Sequence, residues 1–398
     1  MTKTKLALAL LSFLGCVSKS EFTKPAIWSY LQPGQYYVGF TVLEKRDTTR
    51  WMESLGSARP IQISLWYPAT EFDSLKSMTY GDYFLLTATE RTLVPLTVES
   101  ADSTKHEFKE FLSKRGVLED VVDDWFSRSM AASRQVPWAQ GQFPLVIIAE
   151  GNFQAAFNHA VLGEFLASHG FVVATCPSQS RISGPPTSMD EAFEQVFEQS
   201  ADLKFVIDRL REQDQIDVNH ISVVAHSFGA RSAFLLGLST DLQALVSLDG
   251  GIANKLGREW INKIKFDRHL VRVPILHVYQ EVDSIVEPDF EMLSSLTSSE
   301  RLLVKIDTLH HPDFSSLGFV VGCVPGMRTG PPSPNVLQKI CSIYNLTLQF
   351  LTALDNNSII DPKNLPALNS AFFHPSVYHR TEKIGKYPFD QSNADYSK

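Results

Sequence analysis

The sequence predicts an α/β protein built on an open, mostly parallel sheet with helices on both faces, begun by antiparallel strands and carrying a helical insertion. Three observations carry this. Short apolar runs at 145–149, 171–175, 221–225, 244–248, 275–279 and 302–306 are each about five residues long and bounded by polar or turn residues. Strands buried on both faces of a parallel sheet read this way. Amphipathic stretches of helical period fill the gaps between them, and strand–helix–strand repetition implies right-handed crossovers. Composition agrees: 44% hydrophobic and 20% charged residues describe a packed globular chain rather than a disordered one. The formal net charge of −8, with no cluster of Lys and Arg, excludes nucleic acid as a main partner.

In chain order, Lys3 and Lys5 precede an apolar stretch at 6–11 that resumes at Phe13 and Leu14. A charged head followed by a short apolar middle is the pattern of an export signal, and residues 1–20 are expected to be such a leader. The stretch is shorter than the roughly 20 apolar residues of a spanning helix, so the mature chain is expected to have no transmembrane helix. Cleavage fits after Ser18 or Ser20. It also fits before Cys16, where Phe13-Leu14-Gly15-Cys16 has the form of a lipoprotein box with a poor first residue and would leave a lipid on Cys16. Either end places the protein outside the cytoplasm, in a periplasm or the extracellular medium.

Residues 36–42 and 61–67 are rich in aromatic and β-branched residues and read as the antiparallel opening strands. From 78 to about 140 the pattern becomes helical, with Phe108, Phe111, Leu112, Val121, Val122, Trp125 and Phe126 at helical spacing, as expected for an insertion or lid. Residues 190–213 place Phe193, Val196, Phe197, Leu203, Val206, Ile207 and Leu210 in an apolar stripe beside a charged face. A last helix at 336–354 closes a main domain spanning 21–355. The segment 356–398 is polar and punctuated by Pro362, Pro366, Pro375 and Pro388, and reads as a tail draped on the surface. Of the four cysteines, Cys323 and Cys341 form the sensible disulfide in an oxidising compartment; alternatively Cys176, Cys323 and Cys341 are buried thiols.

The strand at 221–225 runs into Ala225-His226-Ser227-Phe228-Gly229 and then a helical stretch at 230–238. A serine between strand and helix, flanked by small residues where backbones nearly collide, is a nucleophile elbow. The pentapeptide alone is weak; its placement makes Ser227 the candidate nucleophile rather than a helix-capping serine. An ordinary hydroxyl needs a base held in one tautomer by a third group. Two acids lie at strand ends, Asp249 in Leu248-Asp249-Gly250-Gly251 and Asp283 in Glu281-Val282-Asp283. Two neighbouring histidines, His310 and His311, follow the last strand, and only one of them can face Ser227.

Glu150-Gly151-Asn152, the run Leu166-Ala167-Ser168-His169-Gly170-Phe171, His226-Ser227-Phe228-Gly229 and the His-x-Asp-Phe-Ser run at His311 resemble the platelet-activating-factor acetylhydrolase branch of the α/β-hydrolases, which shades into dienelactone-hydrolase-like esterases. The similarity covers about 36–354. It implies the α/β-hydrolase fold, Asp249 as the acid, His311 as the base, and an oxyanion hole from the backbone amides of Asn152 and Phe228. The chain departs from that pattern at Glu150, where a His normally precedes the Gly. That carboxylate would either alter the charge and ligand preference of the site or be a capping or solvent-facing residue.

No Walker loop, dinucleotide fingerprint or His-Glu-x-x-His motif is present in the sequence, so no cofactor or metal is expected. The resemblance implies ester hydrolysis through an acyl-enzyme on small lipophilic or short-acyl phospholipid esters, membrane-derived lipid among them. The competing expectations are a peptidase or amidase with the same triad, and a catalytically silent binding protein of this fold.

Overall fold

The protein is described by a computed structural model covering residues 24–70, 77–179, 186–264, 266–283, 286–321, 333–355 and 362–379. The leader with Cys16, and Cys323 with its expected disulfide, lie outside these residues. Cys176 and Cys341 are buried, and among the described residues neither is bridged.

β1 (Tyr37–Met52) and β2 (Ser57–Ala69) form an antiparallel ribbon that sets Phe40 opposite Trp66. Both strands outrun the aromatic stretches that mark them in the sequence. Gly56, with φ 57°, makes the turn between them. Four helices follow: α1 (Tyr80–Phe84), α2 (Thr87–Glu90), α3 (Val98–Ser113) and α4 (Glu119–Ser127). Thr79 and Thr97 begin α1 and α3, each taking a backbone N–H three residues on and so satisfying an otherwise orphaned donor. The short β3 (Ala132–Arg134) then returns beside β1.

The doubly covered part alternates strand and helix: β4 (Phe143–Ala149), α5 (Ala160–Ser168), β5 (Val172–Thr175), α6 (Met189–Leu210), β6 (Ile216–His226), α7 (Gly229–Gly237), β7 (Ala244–Leu248), α8 (Lys255–Lys263), β8 (Ile275–Tyr279), α9 (Glu291–Ser294) and β9 (Arg301–Ile306). After α10 (Leu317–Val321) and α11 (Val336–Asp355), β10 (Phe373–His379) pairs antiparallel with β9. The sheet order is β10-β9-β8-β7-β6-β4-β5-β2-β1-β3, and the run from β9 to β5 is parallel throughout.

Alternation along the strands divides the interior into two cores. Val146, Ile148, Val224, Val246, Leu276 and Val304 face the layer holding the α1–α5 helices and α11. Their neighbours Leu145, Ile147, Val223, Leu245, Ile275 and Leu303 face α6, α7 and α8. Successive side chains point to opposite faces, so a five-residue apolar run supplies both cores at once. Each such side chain, taken from water, contributes about 1.5–3 kcal/mol before chain entropy is charged against it. The buried Arg59 ties β2 to α6 through paired hydrogen bonds to Asp202 at 2.7 and 2.8 Å. Among the described residues no helix is long and apolar enough to cross a membrane.

The strand order reverses at β4, whose neighbours are β5 on one side and β6 on the other. In an open parallel sheet the crevice beyond the carboxyl ends of the strands at such a reversal is where ligands bind. β4 and β6 end in register, Ala149 beside Ala225, so Glu150-Gly151-Asn152 and His226-Ser227 leave the sheet side by side.

Candidate active site

Ser227 sits between β6 and α7 with φ 54°, a left-handed conformation costly for a residue with a Cβ. The turn is held from several sides: the Ser227 N–H donates to Leu248 O at 3.2 Å, and its carbonyl accepts from Gly251 N at 2.7 Å. Gly229 follows because nothing larger fits; a Cβ there would lie 2.3 Å from Ala149 O. The bend lifts the serine side chain clear of the sheet at the amino end of α7, where helix N–H groups favour negative charge.

His311 opens a short 3-10 turn after β9, and its ring spans two partners. Nε2 lies 2.8 Å from Ser227 Oγ, and Nδ1 lies 2.6 Å from Asp249 Oδ2. Since a carboxylate accepts, Nδ1 carries the proton and Nε2 is left as the acceptor facing the hydroxyl. Asp249 is 4% exposed, stands just past β7 with φ 45°, and also accepts from Gln280 N at 3.3 Å and Gln280 Nε2 at 3.1 Å. The second acid, Asp283, meets the other histidine: Oδ1 is 3.0 Å from His310 Nδ1, while Oδ2 accepts the backbone N–H of His311 at 2.6 Å. The two neighbouring histidines thus turn their rings to two different carboxylates, and only the His311 ring is bonded to Ser227.

The loop after β4 presses on the serine. A Cβ on Gly151 would come within 2.8 Å of Ser227 Cβ, so only glycine lets the backbone approach. Gly151 N donates to Gln154 Oε1 at 2.7 Å, which also meets His159 Nε2 at 3.1 Å. These bonds fix the stretch containing Asn152, while Phe228 begins α7 on the other side of Ser227. Phe153, beside Asn152, is 65% exposed with φ 60°.

Glu150 is wholly buried rather than solvent-facing. Its Oε1 accepts from Thr175 Oγ1, its main-chain carbonyl accepts from Gln199 Nε2 at 2.9 Å, and among the described residues Oε2 has no hydrogen-bond partner. Burial pushes its pKa up to about 7, so at neutral pH a large share of the molecules carry it uncharged. Glu90, at the end of α2, is driven higher, to about 8, again by burial and then by Glu150; one oxygen accepts Ala156 N at 3.1 Å.

Two further buried residues complete the surroundings. His226 is buried, stacks on the His311 ring with centroids 4.8 Å apart, and donates Nε2–H to His311 O at 3.1 Å. Burial, then His311 and His159, holds it neutral. Gln280 is fully buried against Asp249. Its position directly after β8 was the available signal in the sequence, but nothing in the residue type marks it as part of a site.

Comparison with known proteins supports this architecture. The family model described as Chlorophyllase matches residues 126–254, a third of the chain that holds the Gly151 loop, Ser227 and Asp249 and stops short of His311. A solved structure, the ferulic acid esterase from Streptomyces cinnamoneus, superposes with a TM-score of 0.57 over 82% of this chain and 92% of its own, at 19% identity. No curated protein sequence matches the chain. A mostly parallel ten-stranded sheet, shared with that esterase over most of both chains, gives the chain the α/β-hydrolase fold.

Proposed function

We propose that the protein is a serine carboxylic-ester hydrolase in which Ser227 is the nucleophile, His311 the base and Asp249 the residue that orients it. The observation that carries this reading is the unbroken chain Ser227 Oγ, His311 Nε2, His311 Nδ1, Asp249 Oδ2, with links of 2.8 and 2.6 Å, at the carboxyl ends of the strands. His311 takes the hydroxyl proton as Ser227 Oγ attacks the ester carbonyl. The negative oxygen is received by the backbone N–H groups of Asn152 and Phe228, with the start of α7 adding its partial positive charge. Collapse of the intermediate expels the alcohol, which leaves with the proton from His311. Water then attacks the acyl-enzyme, its proton passing to His311 and back to Ser227. Asp249 stays ionised and holds Nδ1–H throughout.

Small lipophilic or short-acyl lipid esters are the proposed substrates. The resemblance to platelet-activating-factor acetylhydrolases favours them, and the chlorophyllase match and the ferulic acid esterase likeness both lie within ester chemistry. Export through residues 1–20 belongs to the same proposal. The test compares a chromogenic short-chain ester with a peptide anilide, using Ser227→Ala as the control. Turnover of the ester alone, abolished by the substitution, is the expected result. Equal cleavage of the anilide would make the protein an amidase, and cleavage of neither would leave a binding protein of this fold.

A further inference from the structure

Gln280 occupies a position that the triad chemistry does not by itself require. It is fully buried, and both ends of its carboxamide are engaged. Oε1 accepts the backbone N–H groups of Val282 and Asp283, the latter at 2.7 Å, while Nε2 donates to Asp249 Oδ2 at 3.1 Å. Two N–H donors on one end fix which end is oxygen, so the NH2 group has to face the carboxylate. Asp283, whose N–H is held this way, grips the backbone N–H of His311 at 2.6 Å, and the His311 ring returns to Asp249 at 2.6 Å. The path Asp249–Gln280–Asp283–His311–Asp249 is therefore closed, joining the loops after β7, β8 and β9.

We propose that Gln280 is a positioning residue of the reaction: through this closed hydrogen-bonded circuit it sets the Asp249 carboxylate and the His311 main chain in one register. The proposal rests on the triad reading above. Asp249 is nearly dry and accepts from His311 Nδ1, Gln280 N and Gln280 Nε2, which together fix its plane. With the carboxamide gone, the carboxylate loses one donor and gains freedom to rotate, and the Val282 and Asp283 amides lose their acceptor. A glutamate would keep the acceptor for those amides but set a second carboxylate against Asp249. A purely structural glutamine would cost stability without acting through Asp249.

The experiment measures Gln280→Leu and Gln280→Glu, each alone and in the Asp249→Asn background. It follows kcat and KM on a chromogenic ester, together with the downfield proton resonance of His311 Nδ1–H. Gln280→Leu is expected to lower kcat by about 10- to 100-fold with KM within about twofold, and to shift or erase the resonance. In the Asp249→Asn background the same change should cost less than about twofold, because the route it acts through is already cut. Gln280→Glu should lose most, relative to the parent, at alkaline pH and recover as the introduced carboxyl takes up a proton. Parent-like kcat with an unmoved resonance would overturn the proposal, and so would an equal loss in the two backgrounds. Should the parent hydrolyse no ester, the triad reading fails on its own, while the resonance still reports whether Gln280 holds the Asp249–His311 bond.

Discussion

At the scale of single residues, the choice between two acids depends on where one imidazole points. Asp249 and Asp283 both stand at strand ends and both are bonded to histidines, but only Asp249 meets the ring that also meets Ser227. Asp249→Asn should therefore reduce kcat by about 10³- to 10⁴-fold, since an amide favours the wrong tautomer of His311. Asp283→Asn keeps an acceptor for the His311 N–H and should cost less than about tenfold. Steady-state kinetics on both variants check this, and a larger loss at Asp283 would reverse the assignment. Ser227 was legible in the sequence because an elbow has a local signature, a small residue, a serine and a glycine between strand and helix. The partner of the His311 ring was not legible from the residues alone, because it is set by the meeting of loops from three strands. Gln280 had no signature at all, and His226 lies inside the elbow motif without being marked by it as a partner of His311: the importance of both lies in their contacts. Glu150 stands out in the sequence as a departure from the family pattern, yet its burial is a property of the packed sheet.

At the scale of elements, the apolar runs located the parallel strands closely because burial on both faces leaves them almost no polar positions. β7 and β8 span the same residues as the runs that foretold them. β10 escaped notice. Pro375 interrupts it, the register shifts between Pro375 and Val377, and a strand at the sheet edge can tolerate a residue without an N–H. The elbow is the element on which the site depends most, since the helix it opens is pressed against the end of β4. Gly229→Ala would set a methyl group 2.3 Å from Ala149 O, a backbone atom that cannot move aside without shifting β4. Such overpacking should cost about 1–3 kcal/mol, measured as a lower urea midpoint, with esterase activity falling too because Phe228 and Ser227 are displaced. An unchanged midpoint would show that the strand and helix are less tightly apposed than this geometry requires.

At the scale of the whole molecule, the cores enclose titratable groups that make stability depend on pH from both sides. Glu90, Glu150 and Glu164 have pKa values raised by burial to about 8, 7 and 7. Between the ordinary carboxylate value of 4.5 and those values the folded state binds more protons than the unfolded chain, so stability falls as pH rises through that window. His159 and His277 are lowered by burial from 6.5 to about 3. There the unfolded chain binds more protons, and stability falls as pH drops from 6.5 towards 3. Urea midpoints should accordingly peak at mildly acidic pH and decline on both sides. Glu90→Gln should flatten the alkaline decline by an amount on the order of 1–3 kcal/mol at pH about 8.5; a decline of the same slope in that variant would contradict the assignment. Activation of Ser227 as a nucleophile is tested by treating the protein with a fluorophosphonate and locating the adduct by peptide mass. One adduct per chain is expected, on Ser227, formed at least about 10³-fold more slowly in His311→Ala. An unlabelled Ser227, or one labelled as fast without the imidazole, would contradict it.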